Sequence, residues 1–357
     1  MKPRLQKNLR TLAGTIVYWF MVILAYDIYR RLGIEDQYGV TVEVPITRKE
    51  NLLMTLALGL LTGFLYYLFE LVFDTKQFKR KPIGLQILTK MISYFVLVLT
   101  VLGAGIRIMG KFYGVAMDPT FTQIISSGAV WSFIIYFSVA SIGFTFLKLV
   151  DEKFGPGTFW KILLGQYQKP KVEKKIFMFL DLKSSTLIAE QLGYKKYSAL
   201  IQQCFYDLND VIQSYSGEIY QYVGDEVVVS WDYEKGTKNC ECVDLFFQFK
   251  NKLHSRKDFY MEQFGIVPEF KAGLHGGKLM AAEVGVVKRE IAYHGDVINT
   301  TARIQSMCNE LGEPLLISEP LLKSLQLNPK YQPELKGEFT LKGKEKLTTL
   351  HSVCQVA

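Results

Sequence analysis

Apolar positions run in four long, almost uninterrupted stretches through the first 150 residues, then break into shorter segments of alternating period. The first stretch, residues 11–26, holds no charge and reads on to Tyr29. The second covers 51–69 and continues past Glu70 to Phe73. The third centres on 91–106, between Lys90 and Arg107, and the fourth, 119–147, is the longest. Each comes near or above the ~20 residues an α-helix needs to cross a hydrocarbon layer of about 30 Å. Inside lipid every backbone N–H and C=O must bond within its own segment, so the pattern predicts helices and not isolated strands.

Beyond residue 150 the punctuation changes. Gly155-Pro156-Gly157 breaks the fourth helix and Lys169-Pro170-Lys171 precedes a strand, so 151–174 reads as a linker with one short helix over 158–164. The apolar run IFMFLDL at 176–182 has the pattern of a buried strand, and 195–215 has helical spacing, ending near Gly217. Strand-like segments 218–222 and 226–231 flank Val223-Gly224-Asp225, a hairpin signal. Residues 240–264 read as helix, 269–286 and 289–293 as strands, 297–311 as helix and 314–317 as strand; 339–341 and 349–353 close the chain as a hairpin. The organisation expected is an N-terminal all-α transmembrane four-helix region (1–150), a cytosolic linker (151–174) and a C-terminal α+β domain (175–357) with helices over one sheet.

Composition agrees and narrows the classes. Hydrophobic residues make up 49% and charged residues 21%, and the mean hydropathy is +0.13, which excludes a disordered or fibrous chain. Lys and Arg exceed Asp and Glu by 8, and the whole excess lies in residues 1–150, which hold 16 bases and 8 acids; the remainder holds 26 of each. The basic pI of 9.0 therefore belongs to membrane topology, and no nucleic-acid partner is expected. The N-terminal tail carries Lys2, Arg4, Lys7 and Arg10 without an acid, and the second connection carries Lys76, Lys79, Arg80 and Lys81 against Asp74. The other two connections are balanced or sparse. Positive-inside counting puts both termini and everything after Lys148 in the cytoplasm of a chain that crosses the cell (inner) membrane four times. No small-residue cleavage site follows Tyr26, so the first stretch is expected to be retained. The five cysteines all lie in the C-terminal half without a CxxC pair, as in a reduced domain. Glu70, Lys90 and Arg107 sit towards segment ends, where long side chains reach the interface; a polar path through the bilayer is the alternative. The outer loop, 31–50, is too short for a folded receptor domain and does not specify an upstream signal.

Candidate chemistry falls in the C-terminal half. Asp181 closes the strand IFMFLDL and Asp225 sits at the hairpin tip. Neighbouring strands would converge the two carboxylates, the oxygen donors Mg²⁺ demands. Ser184-Ser185-Thr186 opens a helix and offers backbone N–H groups to phosphate. Taken singly, the acids also fit a helix cap and a turn residue. Asn299 and Arg303 stand four apart, on one helix face, and a permanently charged guanidinium suits a transferring phosphoryl group; a cap and a surface Arg are the plainer alternative. Lys342, in the run FTLKG, fits either a phosphate ligand or a charge guarding a sheet edge.

In this order the motifs resemble the class III nucleotidyl cyclases, the adenylate and guanylate cyclase family, in a membrane-anchored bacterial form. They are FxD at Phe179–Asp181, Gly217-x-x-x-Gln221-x-x-Gly224-Asp225, Gly295-Asp296-x-x-Asn299-x-x-x-Arg303 and Leu341-Lys342-Gly343. The resemblance implies a ferredoxin-like catalytic domain working as a head-to-tail homodimer. Asp181 and Asp225 of one protomer would hold two Mg²⁺ (or Mn²⁺), activating the ribose 3′-hydroxyl and clamping the phosphates. From the opposite protomer, Asn299 would orient the ribose, Arg303 would meet charge at the α-phosphorus and Lys342 would hold the terminal phosphates. Gln221 and Ala292 would face the base, and Ser184, Ser185 and Thr186 the phosphates. The implied reaction is ATP to 3′,5′-cyclic AMP and pyrophosphate. Three positions depart from the family: it usually has Lys at Gln221, Asp or Thr at Ala292, and Gly-Phe at Ser184-Ser185. A Gln amide both donates and accepts and Ala offers no polar group, so the base is weakly specified and GTP is the alternative. A catalytically silent cyclase-like membrane receptor or scaffold is the reading from another class. A diguanylate cyclase leaves Asn299 and Arg303 unexplained, and a channel lacks paired broken helices.

Overall fold

The computed structural model describes residues 3–31, 48–79, 81–112, 128–155, 157–287, 289–344 and 346–356. They divide into two compact units, Leu5–Phe154 and Gly155–Ala357. Residues 32–47, in the expected outer loop, and 113–127, which include the start of the fourth apolar stretch, lie outside the described residues, as does the side chain of Arg107.

The first unit consists of α1 (Pro3–Arg31), α2 (Arg48–Phe73), α3 (Ile83–Phe112) and α4 (Gly128–Phe154). Each contains a window long and apolar enough to cross a membrane: Thr11–Tyr29, Thr55–Phe73, Ile83–Thr100 and Val130–Lys153. The third window begins before the expected 91–106, because Ile83, Leu85, Ile87 and Leu88 carry the apolar run across Lys90. Aromatic rings fill the interior. Trp19 lies 3.8 Å from Tyr66 and Tyr66 lies 4.6 Å from Tyr94, centroid to centroid. Their hydroxyl neighbours are satisfied inside the bundle: Tyr66 pairs with Ser141 at 2.6 Å, and Tyr18 donates to the Ala140 carbonyl at 2.7 Å. Gly59 and Gly63 form a small-residue ridge on α2. A Cβ on Gly63 would stand 2.6 Å from the Ile16 Cα, so only glycine lets α1 approach this closely. Glu70 and Lys90, expected towards segment ends, meet each other across two helices. Both lie within spanning windows, both side chains are 12% exposed, and the Lys90 ammonium sits 3.1 Å from the Glu70 carboxylate. Tyr94 donates to the same carboxylate. Pairing of opposite charges lowers the cost of burying either one.

In the second unit α5 (Thr158–Leu163) leads to β1 (Lys171–Leu182), α6 (Ser185–Ile212), β2 (Glu218–Val223), β3 (Glu226–Asp232), α7 (Glu241–Ser255), α8 (Lys257–Phe264) and β4 (Phe270–Val284). Then come β5 (Glu290–His294), α9 (Asp296–Leu311), β6 (Leu315–Ser318), β7 (Tyr331–Phe339) and β8 (Thr348–Gln355). The strands make one sheet in the order β2-β3-β1-β4-β6-β8-β7, with β5 on β4. The β2-β3-β1-β4 half, antiparallel with α6 and α7–α8 between strands, is the ferredoxin-like arrangement. On β1, Ile176, Met178, Leu180 and Leu182 enter the main core with Leu200, Cys204 and Leu208 of α6 and Leu245, Phe246 and Phe249 of α7. Phe177 and Phe179 point to the other face, where they meet Leu279, Ala281 and Val297. Both faces of β1 are covered, which is why its apolar run is continuous.

The differences from expectation have local causes. β1 starts at Lys171 because residues 171–175 pair with β4 through backbone bonds, while their charged side chains carry no apolar signal. α6 begins at Ser185 but is kinked at Gly193 (φ 70°, ψ 161°), so its helical period is clear only beyond the kink. Arg256 separates α7 from α8. β7 is a largely exposed strand of alternating charge, and Lys342 lies in the turn after it rather than on a sheet edge.

Asp232, at the end of β3, receives hydrogen bonds from Lys235 at 2.8 Å and from the buried Lys175 at 3.2 Å. Partial burial pushes its carboxyl up, but the two lysines outweigh this and hold it at about 2. A carboxyl depressed on folding stabilises above its ordinary value of 3.8, and that contribution fades as pH falls towards 2. Asp232→Asn is therefore expected to lower the denaturation midpoint at pH 6 and to lose this difference progressively below pH 4.

Candidate active site

Strand register builds the first cluster. β1 is flanked by β3 and β4, which sets Asp181 opposite Glu226 on one side and Lys271 on the other. The β2–β3 turn, with Gly224 at φ 61°, swings Asp225 back beside Asp181. The Lys271 ammonium, on a residue 8% exposed, stands 3.2 Å from Asp181 Oδ2 and donates to Asn309 Oδ1 at 2.9 Å. Gln305 of α9 donates to Asp181 Oδ2 at 2.9 Å. The Tyr197 hydroxyl reaches Asp225 and Ser185.

The electrostatics follow from this crowding. Burial raises the Asp181 carboxyl most, Lys271 pulls it down, and the charge of Asp225 pushes it up again, with a net rise. Glu226 is pushed up to about 7 by burial and by Asp181 and Asp225, against Lys271. Two half-buried acids side by side, Asp181 with its ionised form disfavoured by Asp225, make a place where a divalent cation gains most, and their hard oxygens suit Mg²⁺ or Mn²⁺. Among the described residues no group of three or more His, Cys, Asp or Glu side chains is placed to hold a metal, so a cation here would rest on the acid pair.

Ser184 precedes α6 in the left-handed region (φ 57°, ψ 33°), the conformation glycine adopts most easily, and its side chain does not cap the helix. Ser185 is half-buried, Ser184 and Thr186 are exposed, and the first-turn N–H groups lie at the same end of β1 as Asp181.

A second cluster forms on α9. The Arg303 guanidinium lies 3.5 Å from where a Cβ on Gly343 would stand, so it rests on the backbone of the turn that carries Lys342. That turn is tied to the start of α9 by Lys344, 2.7 Å from Asp296. Asn299, one turn before Arg303, is exposed, as is Lys342. Two residues on a helix are separated by about 200°, so Arg303 faces away from the side on which Gln305 meets Asp181. One chain thus unites Asp181 with Asp225, and Arg303 with the Lys342 turn, and presents the two sets on opposite sides of α9. Gln221 on β2 is exposed, and Ala292 on β5 is half-buried opposite Ala282. Their neighbours Tyr220 and Tyr293 meet at 5.0 Å. A bulge at Tyr220 pairs Gln221 with Val228 on that same face of the sheet, whereas Ala292, by strand alternation, projects from the other face, so the structure does not set the two side by side.

Lys271, Gln305, Tyr197 and Glu226 were not among the residues expected from the sequence. A Lys inside the apolar run EFKAGL and a Gln on the core side of α9 were the available signals.

Against known proteins, the model of the family described as "Adenylate and Guanylate cyclase catalytic domain" matches residues 167–352, more than half of the chain. The chain belongs to this family. It is 34% identical over 219 residues to Adenylate cyclase 2 of Rhizobium meliloti (strain 1021), covering 61% of this chain and 60% of that protein. To Adenylate cyclase 1 of the same organism it is 24% identical over 187 residues, 50% of this chain and 27% of that one. It thus spans less than two thirds of the length of either relative. A bacterial light-regulated adenylyl cyclase of solved structure superposes with a TM-score of 0.52 at 18% identity, over 64% of this chain and 66% of that one, and shares the fold.

Proposed function

We propose that the protein is a membrane-bound adenylate cyclase that converts ATP to 3′,5′-cyclic AMP and pyrophosphate at sites shared by two copies of the chain. The observation that carries this is the convergence of Asp181 and Asp225 beside the buried Lys271. Two relatives named adenylate cyclase support ATP over GTP.

Asp181 and Asp225 would hold two Mg²⁺ (or Mn²⁺) ions, which when bound supply Lewis-acid activation of the 3′-hydroxyl and neutralise phosphate charge. The chain's own groups do the rest. Lys271, held between Asp181 and Asn309, offsets the acids' charge. The N–H groups following Ser184, with Ser185 and Thr186, receive phosphate oxygens. From the second copy, Asn299 orients the ribose, the Arg303 fork meets charge at the α-phosphorus, and Lys342 holds the terminal phosphates. Because each chain carries both clusters on opposite sides of α9, a two-fold pair completes two sites. Residues 1–150 anchor the pair in the bilayer, 151–174 link, and 175–357 catalyse, with both termini in the cytoplasm; the upstream signal is left unassigned.

The test is turnover of ATP and GTP by the purified full-length protein with Mg²⁺ or Mn²⁺. Cyclic AMP formation with ATP preferred is the expected result; no product from either nucleotide favours the silent receptor. Gln221→Lys replaces an ambivalent amide with a pure donor for the acceptor N1 of adenine. It is expected to raise the ATP-to-GTP ratio of kcat/KM roughly tenfold, the worth of one hydrogen bond.

A further inference from the structure

Gln305 is a polar side chain where the pattern of α9 calls for an apolar one. It is 6% exposed, between the buried Ile304 and Cys308, and lies on the sheet. Its backbone is clamped there: a Cβ on Gly273 of β4 would stand 2.4 Å from the Gln305 nitrogen, so only glycine lets the helix sit so low. An amide at such a depth costs stability unless its hydrogen bonds are made, whereas a leucine or methionine would pack without that cost. What the amide does is donate to Asp181 Oδ2 at 2.9 Å, the same oxygen that Lys271 approaches at 3.2 Å. Lys271 is itself held by Asn309, one turn further along α9, at 2.9 Å. One helix therefore holds the carboxylate twice, directly and through the lysine, and both donors share one oxygen. The closest contact of each donor falls on Oδ2 and not on Oδ1. The two donors differ in kind. The ammonium offsets the acid's charge; the amide fixes orientation and leaves the charge for a cation.

We infer that Gln305 is a positioning residue that acts through Asp181, locking its carboxylate so that Oδ1 is offered to a divalent cation. The inference rests on the acid pair being the metal site. It separates from the cyclase reading because its first test needs no turnover.

The probe is Mn²⁺ alone, titrated into the full chain in detergent and followed by the paramagnetic resonance signal of the free ion. Gln305→Met keeps the volume and removes the donor, and it is expected to weaken Mn²⁺ binding about 10- to 100-fold, as loss of partners to metal ligands does. Its thermal midpoint should stay within a few degrees of wild type, a combination that a merely structural glutamine would not give. Gln305→Asn, which keeps a shorter amide, should fall between the two. Unchanged Mn²⁺ affinity in Gln305→Met, or no Mn²⁺ binding by the wild type, overturns the inference. Should Gln305→Met not fold, Gln305→Asn decides in mixed dimers with one live site. Placed on the chain that supplies Asp181, it raises the Mn²⁺ concentration needed for half-maximal activity several-fold. Placed instead on the chain that supplies Arg303, it has the smaller effect. The reverse order overturns the inference. A wild type that binds Mn²⁺ through Asp181 and forms no product contradicts the cyclase reading and leaves this one standing.

Discussion

Asp181→Asn is expected to lower cyclic-nucleotide formation by roughly a thousandfold or more, with the folded chain intact. The substitution keeps the side chain's shape but removes one of two charges. The Asp181 carboxylate stands between Lys271, at 3.2 Å, and Asp225, and accepts from Gln305 at 2.9 Å. On the proposed reading a divalent cation would lose one of its two protein carboxylates, and Lys271 would lose the acid nearest to it. Removing a single preorganised donor from a developing charge typically costs about a hundred- to a thousandfold, and loss of a metal-holding carboxylate should be at the upper end or beyond. Arg303→Ala is expected to fall within that range. Its guanidinium rests on the Gly343 backbone and not in a core, so the fold should tolerate the truncation. The measurement is product formation at saturating ATP and Mg²⁺, alongside the unfolding midpoint of each variant.

The second large effect is on stability and lies away from the chemistry. Asp207 of α6 is fully buried and accepts both Arg256 contacts, at 2.5 and 2.6 Å, and the Tyr260 hydroxyl at 2.7 Å. Arg256 is the residue that breaks α7 from α8, and its guanidinium also lies 4.2 Å from the centre of the Phe259 ring. Asp207→Ala strips the acceptor from both donors at the joint of three helices. Breaking a buried pair from one side costs about 3–5 kcal/mol, and the lower figure applies because Arg256 is 27% exposed and can turn to water. For a unit of this size about 3 kcal/mol lowers the thermal midpoint by roughly 6–12 °C. Asp207→Asn keeps an acceptor and should cost about half as much. A drop of under 2 °C for Asp207→Ala would show that the cluster contributes little.

Much of this architecture could be read from residue order because its signals are local. The strand IFMFLDL, the Gly224-Asp225 turn, the Asn299–Arg303 spacing and the closing Leu341-Lys342-Gly343 run each declare themselves within a few residues. The four apolar helices do so by length alone. What could not be read is what pairing brings together. Lys271 meets Asp181 only because β1 and β4 are adjacent in one register, and Gln305 meets it only because Gly273 lets α9 settle onto β4. Neither distance is written in spacing. Most of β7 lies before the expected 339–341 for the opposite reason: its backbone pairs with β8 while most of its side chains are exposed. In the helical unit, Glu70 and Lys90 looked like residues at segment ends because their pairing joins two different helices. Gly59 and Gly63 were not among the residues singled out, because the closeness they permit is a property of the partner helix.

The division of each site between two copies is tested most directly by mixing two inactive chains. Asp181→Asn and Arg303→Ala, co-expressed in equal amounts, pair at random, so half of the dimers contain one of each. Each mixed dimer holds one complete site and one doubly defective one, so activity should return to about a quarter of wild type. Activity that stays at the level of the separate variants, in chains shown to associate, would contradict a site built from the acids of one protomer and the arginine of the other.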